Sequence, residues 1–294
     1  MNALRLIVHA DDLGLSEPVN AGILEAHQDG LVTSSSIMAN GAALDDAVRR
    51  CRATPSLDLG VHLTLTEERP LCDPATIPSL VDGDGRLHRH AVDFTRRYLS
   101  GRIALAEVAA ELDAQVRRVL DTGLPVSHLD SHQHLHLLPR VWEIAAELAR
   151  RYHIAAIRCP LEPLNLSMFS RPRRLSRAAQ LAVLNRFAVR RRDDPMVLAN
   201  HFRGFFFGGR LTASRLVGLL QGLPASGVCE LMCHPGQRDS SGEYSHWGYQ
   251  WEKELAALKY PLARHLLDDY GIALTSYADL VQPVPDRPSL TATA

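Results

Sequence analysis

No uncharged apolar stretch in these 294 residues approaches the roughly 20 residues that a membrane-spanning helix needs. The run inside MNALRLIVHADD is only about five residues long and is closed by Asp11 and Asp12, which excludes a signal-peptide core there. Charge of one sign is lacking as well. Lys and Arg number 32 against 33 Asp and Glu, so no global excess points to nucleic acid, and none is expected as a partner. The five cysteines (Cys51, Cys72, Cys159, Cys229, Cys233) are odd in number and scattered, and the nearest pair, Cys229 and Cys233, lacks CxxC spacing. Reduced thiols in a cytoplasmic protein are the expectation. A glycine-rich phosphate fingerprint is missing after the first predicted strand, which argues against a nucleotide-binding sheet.

What is present is an alternation of short apolar runs and amphipathic stretches. The pattern predicts strands at 4–9, 32–38, 59–65, 126–129, 155–158, 196–199, 228–232 and 272–275. Between them it predicts helices at 18–28, 43–52, 105–119, 139–152, 174–191, 213–223 and 261–270, the third carried by Leu105, Val108, Leu112, Val116 and Val119. Such alternation makes an α/β fold: about seven parallel strands closed, or nearly closed, into a distorted TIM-like (β/α) barrel. One domain over 1–282 is expected, with 283–294, rich in Pro, Thr and Ala, as a flexible tail.

In a barrel, polar residues at strand C-termini face the active site. Three strand ends carry them: Asp11-Asp12, His62, and the run from His128 to His136. That run has a polar group at every even position, His128, Asp130, His132, His134 and His136, all on one face if the chain stays extended. Alternate strand residues sit roughly 6–7 Å apart, whereas His–metal bonds are about 2 Å, so the run can offer one ligand, or two, to a given ion. Spacing alone does not choose between His132 and His134. Asp130 could orient a ligating His from behind. Two adjacent carboxylates at an apolar strand's end repel unless a cation or proton intervenes, an arrangement suited to one ligand and one base. Gly14 would let the backbone turn so that both face one cavity.

Further candidates are His234 in MCHPG, as general acid or transition-state stabiliser, and Arg158, as an orienter of carboxylate or substrate. Tyr244, Trp247, Tyr249 and Trp251 offer flat faces for sugar rings or packing for the barrel's end. Phe205-Phe206-Phe207-Gly208-Gly209 is a loop or strand with a hydrophobic tip, either a substrate contact or buried core. His9, His27, His88, His90, His153 and His265 read as ordinary core or surface residues. Residues 171–192 hold eight arginines and no acid up to Arg192, a basic amphipathic helix that is usually a solvated face but could touch an anionic membrane.

These residues, HADDLGLS at 9–16, VTS at 32–34, GVHLTLT at 60–66, HLDSHQHLH at 128–136 and CHPG at 233–236, resemble the YdjC-like carbohydrate deacetylases over nearly the whole chain. The resemblance implies one divalent metal (Mg²⁺ or Zn²⁺, with Mn²⁺ or Co²⁺ as alternatives) held by Asp12, His62 and His132. Asp11 would be the catalytic base, and His234 as an imidazolium would donate to the departing amine. Asp130, His128, His136, Arg158 and Trp247 would support the ligands or touch substrate. It implies removal of acetyl from N-acetylated amino sugars, by a homodimer. An N-acetylglucosamine unit, free, oligomeric or carried on a lipid, is the substrate expected, and the basic helix motivates the last. His9 departs from the Asn or Thr more usual at that position, and Leu13 from Phe. The rival readings are a metal-dependent amidohydrolase or phosphoesterase acting on a non-sugar substrate, and a non-catalytic metal or sugar binder.

Overall fold

The computed structural model describes residues 3–164, 168 and 172–281. Eight parallel strands form one sheet: β1 (Arg5–Leu13), β2 (Ser34–Ile37), β3 (Asp58–Leu63), β4 (His128–Ser131), β5 (Ala156–Ile157), β6 (His201–Arg203), β7 (Val228–Cys233) and β8 (Ala273–Thr275). Seven follow one path, β5-β4-β3-β2-β1-β7-β6. β1 pairs along Arg5–Ala10 with β7, and it pairs with β8 over Arg5–Ile7 and with β2 from His9 onward. The ends of the path, β5 and β6, share no ladder among the described residues, but the Ile157 N–H donates across that seam to the Met196 carbonyl at 2.8 Å. The sheet is thus curled into a nearly closed barrel.

The strand expected at 196–199 lies instead at β6. Asp194-Pro195 makes a turn in which the Asp194 carboxylate accepts the Met196 N–H, so the chain reaches extended geometry only later. Helices cover the outside: α1 (Glu17–Gln28), α2 (Leu44–Ala53), α3 (Ala91–Leu99), α4 (Leu105–Leu120), α5 (Val141–Arg151), α6 (Pro172–Ala188), α7 (Ala213–Gln221), α8 (Trp251–Leu258), α9 (Pro261–Asp269) and α10 (Tyr277–Val281). Ser16 caps α1 through the Val19 N–H, and Pro18 fits its first turn. α4 buries Val108, Leu112, Val116 and Val119, the face read from periodicity. α3, α8 and α10 were not expected. α3 buries only Phe94, so it lacks an apolar stripe, and α8 begins inside the aromatic stretch.

β1 and β7 lie side by side at the centre and are buried over nearly their whole length. α1 seats directly on the loop after β7: a Cβ at Gly22 would stand 2.3 Å from the Gly236 Cα, so only glycine permits this approach. The expected tail, 283–294, lies outside the described residues.

Candidate metal centre and active site

The pairing of β1 with β2 shifts register between Ala10 and Leu13, and Asp12 takes the left-handed conformation, φ 69°. This irregularity, more than Gly14, turns the strand's end into the site. Strain in a non-glycine residue persists only where the surroundings hold it. Asp12, His62 from β3 and His132 just past β4 are buried, and each offers a ligand atom within 4.8 Å of the others'. Asp12 Oδ1 lies 3.0 Å from His132 Nδ1 and 3.3 Å from His62 Nε2. Asp130 Oδ1 lies 2.9 Å from His62 Nδ1, which places an N–H on Nδ1 and leaves Nε2 as the nitrogen a metal would take. Ser36 Oγ donates to Asp130 Oδ2. Both His62 Nε2 and Asp12 Oδ2 are buried without a hydrogen-bond partner.

Burial would raise the Asp12 carboxyl, but His132 and His62 hold it well below the carboxylate range. Burial would lower the imidazoles, yet Asp130 and Asp12 carry His62 up to about 10, and Asp12 carries His132 up to about 9. The pocket therefore draws positive charge into itself. The donor set of one carboxylate and two imidazoles, with two orphaned buried atoms, fits a divalent cation.

Behind this cluster Arg158 is fully buried and turned to the protein. Nε donates to Glu230 Oε1 (2.7 Å), Nη1 to Asp11 Oδ2 (2.8 Å), and Nη2 to Asp11 Oδ1 (2.7 Å) and His9 Nδ1 (2.6 Å), while Nη1 also forms an ion pair with Asp130 Oδ2 at 2.8 Å. Its guanidinium is therefore engaged by protein groups. Burial would raise Asp11, but Arg158 holds it well below the usual range. Because Arg158 can only donate, His9 presents its Nδ1 lone pair, so its Nε2–H donates to His128 Nε2 (2.8 Å), whose Nδ1 faces Ser127 Oγ (2.8 Å). Tyr277 stacks on His128 at 4.2 Å and donates to Glu230 Oε2. His9, read as an ordinary residue, thus contacts Asp11 directly, with Nδ1 3.0 Å from Asp11 Oδ1.

The run 128–136 does not stay extended. It leaves the strand after Ser131, and Gln133 and His134 both take φ 56°. His132 turns to Asp12, and His134 turns to Phe202 and Phe205. His136 turns back to Ser131 Oγ (2.5 Å) and the Arg158 carbonyl (2.9 Å). Burial pushes His128 and His134 down, and His136 to about 4. Both ring nitrogens of His128 and of His136 face protein atoms, so these two rings are turned to the interior and not to the cavity.

A cavity of about 1300 Å³ has Asp11, His132 and His234 at its inner end with Trp247 and Tyr249, and runs out between α3 and α6. Trp247 leans on His132 (5.0 Å between centroids) and Tyr249 meets His234 edge-on (4.8 Å). Tyr244 is buried against Trp247, and Trp251 opens α8 beside Gly236. Phe205 lines the cavity, while Phe206 packs in the core with Leu181. His234 Nδ1 accepts the Gly209 N–H at 3.3 Å, and burial lowers the imidazole, so it is neutral rather than the imidazolium expected. The His234 backbone N–H donates to Glu254 Oε2, whose carboxyl burial pushes up to about 8. Sequence reasoning missed Glu230, Glu254, Ser36 and Glu67, the last 3.2 Å from His132 Nε2. An acid inside the apolar strand VCELMC was a signal that could have exposed Glu230.

The basic stretch is a solvated face in part, with Arg186, Arg190 and Arg192 exposed, and a cavity wall in part. α6 forms one cavity wall, and Arg177 donates to the Phe205 carbonyl and lies 4.2 Å over its ring. Arg191 pairs with Glu143. Arg171 lies outside the described residues. No helix among the described residues is long and apolar enough to cross a membrane.

A family model described as YdjC-like protein matches residues 5–269. A carbohydrate deacetylase of Geobacillus stearothermophilus is 35% identical over 278 residues, covering 93% of this chain and 96% of that one. A chitooligosaccharide deacetylase of Yersinia pestis (strain Pestoides F) is 32% identical over 281 residues, 93% of this chain and 98% of that one. Among solved structures, a protein of Enterococcus faecalis V583 assigned to cellobiose-phosphate cleavage superposes with a TM-score of 0.73 at 26% identity, covering 96% of this chain and 100% of that one.

Proposed function

The chain belongs to the YdjC-like family, and from that premise we propose that it is a metal-dependent hydrolase removing the acetyl group from an N-acetylated amino sugar. The observation that carries this is the Asp12–His62–His132 cluster, with its two orphaned buried atoms, whose His132 lines the inner end of a cavity also lined by Asp11 and His234. A divalent ion held there would polarise the acetyl carbonyl and make a water more acidic. One carboxylate and two imidazoles suit Zn²⁺, Co²⁺ or Mn²⁺, and Mg²⁺ more weakly.

The remaining roles fall to the chain's own residues. Asp11 takes a proton from water. Arg158 grips it through both carboxylate oxygens, which fixes its direction at the cost of some basicity. Asp130 keeps the His62 N–H on Nδ1 and so aims Nε2 at the metal position. His234, with Nδ1 occupied by Gly209, offers an Nε2–H to charge developing at the acetyl oxygen or the leaving nitrogen. The water oxygen joins the acetyl carbon, the C–N bond breaks, and the water's proton ends on the sugar nitrogen. Trp247 and Tyr249 would stack on the sugar ring.

The substrate unit we propose is N-acetylglucosamine, free, oligomeric or carried on a lipid, handled by one domain over 1–282 in a cytoplasmic homodimer. All five cysteines are unpaired, which suits a reducing compartment. α6 with its arginines would be the part that touches a membrane. The test is acetate release from methyl N-acetylglucosaminide, chito-oligosaccharides and N-acetylglucosaminyl lipids, by the metal-reconstituted protein and by Asp11→Asn. Release by the parent alone supports the reading. No release from any compound, with metal bound, rejects it in favour of another amide or phosphoester hydrolase.

A further inference from the structure

His132 stands between two carboxylates, one at each ring nitrogen. Nδ1 lies 3.0 Å from Asp12 Oδ1, and Nε2 lies 3.2 Å from Glu67 Oε2. Turning the ring over would set carbon atoms against both acids, so the two contacts fix its orientation. Trp247 leans on the ring at 5.0 Å between centroids and the His62 ring meets it edge-on at 5.7 Å, which leaves little room to swing aside.

Glu67 takes the left-handed conformation, φ 72°, as Asp12 does at the other nitrogen. Its N–H donates to the His88 carbonyl at 3.1 Å, and Arg86 donates to its carbonyl through Nε at 3.4 Å and Nη2 at 3.2 Å. Among the described residues its carboxylate makes one hydrogen bond, to His132, while His246 Nε2 on the loop between β7 and α8 stays 3.8 Å from Oε1. A strained backbone pinned from both sides to aim one carboxylate at one imidazole is the kind of outlier that marks a functional position.

Metal bonds of about 2.0–2.1 Å place neighbouring ligand atoms about 3 Å apart. Asp12 Oδ1 stands 3.0 Å from His132 Nδ1 and 3.3 Å from His62 Nε2, so these three atoms are already at ligand spacing. Resting on the reading of Asp12, His62 and His132 as metal ligands, we propose that Glu67 is the positioning residue of His132: it holds the N–H on Nε2 and so presents Nδ1 to the cation. Asp130 imposes the opposite choice on His62, whose Nδ1 it engages at 2.9 Å. The two imidazoles of one centre then bind through different nitrogens, each backed by its own carboxylate.

The experiment loads the full chain with Zn²⁺ and reads the ring nitrogens of His62 and His132 by NMR of isotope-labelled histidine. Metal on Nδ1 and a proton on Nε2 are expected for His132, and the reverse for His62. Zn²⁺ affinity, measured by competition with a chelating dye, should fall about 10–100-fold in Glu67→Ala. Glu67→Gln offers an amide oxygen to the same N–H and should stay within about fivefold of the parent, a neutral acceptor bonding less strongly than a charged one. The visible spectrum of the Co²⁺ form should match the parent in Glu67→Gln and differ in Glu67→Ala. His246→Ala, which removes only the loop contact, should bind Zn²⁺ as the parent does. The ring assignment is made on the parent, so it decides the matter even where Glu67→Ala fails to fold. Zn²⁺ bound in this pattern, without acetate release from any N-acetyl sugar, would sink the deacetylase reading and leave the role of Glu67 standing. Zn²⁺ on Nε2 of His132, undiminished affinity in Glu67→Ala, or an equal loss in His246→Ala would overturn the proposal, whatever the turnover.

Discussion

Replacing Arg158 with Met should cost this protein more than any other single change near the site. The side chain is fully buried and forms ion pairs with Asp11, Asp130 and Glu230 at 2.7–2.8 Å. Methionine fills much of the volume but leaves three buried carboxylates facing one another. Removing one partner of a single buried ion pair costs about 3–5 kcal/mol. Three acceptors lose their cation together here, so a loss of at least about 5 kcal/mol is expected, against a total stability of about 5–15 kcal/mol for an ordinary domain. Arg158→Lys keeps the charge but has no planar fork, and it cannot reach all three acids, so it should fall between. The assay is urea unfolding followed by circular dichroism. Because acid protonates the orphaned carboxylates, the deficit of Arg158→Met should shrink as pH falls. Pairing Arg158→Met with Glu230→Leu should recover part of the loss, since one buried acid is removed. Unfolding of Arg158→Met within about 1 kcal/mol of the parent at neutral pH would refute the network as a stabilising unit.

Two further outcomes follow from the same geometry. In the metal-free protein the raised His62 and His132 keep their protons at neutral pH, so binding a divalent ion should release up to two protons, and affinity should climb by up to about a hundredfold per pH unit. Calorimetry in buffers of different ionisation enthalpy counts those protons, and none released at neutral pH would contradict the assignment. The sign for folding runs the other way: the metal-free chain should hold its imidazolium stabilisation in full below about pH 6.5 and lose it as pH rises through about 9 to 10, which thermal melts across that range would show. Gly60→Ala should cost about 1–3 kcal/mol, because its Cβ would stand 2.4 Å from His128 Nε2 and push that ring off His9. A melting temperature unchanged from the parent would mean that the ring has room to move.

Much of this was legible in the sequence, for reasons that can be named. Asp11, Asp12 and His62 close apolar runs, and a parallel barrel puts such positions at one end. The choice of His132 was not legible from spacing. It depends on Gln133 and His134 both adopting a left-handed backbone, which neither residue type announces. His9 and Glu230 face the barrel interior from the middle of strands, where a lone polar residue ordinarily reads as a satisfied core group, and only the position of Arg158 shows what satisfies them. β6 was misplaced because the Asp194-Pro195 turn delays the strand.

The most direct test of the metal centre is to measure bound divalent metal by elemental analysis, together with acetate release, for the parent and for His62→Ala after equal reconstitution. One equivalent of metal in the parent, lost in His62→Ala along with turnover, is the result expected. Full activity in a parent stripped of metal, or an undiminished metal content in His62→Ala, would contradict it.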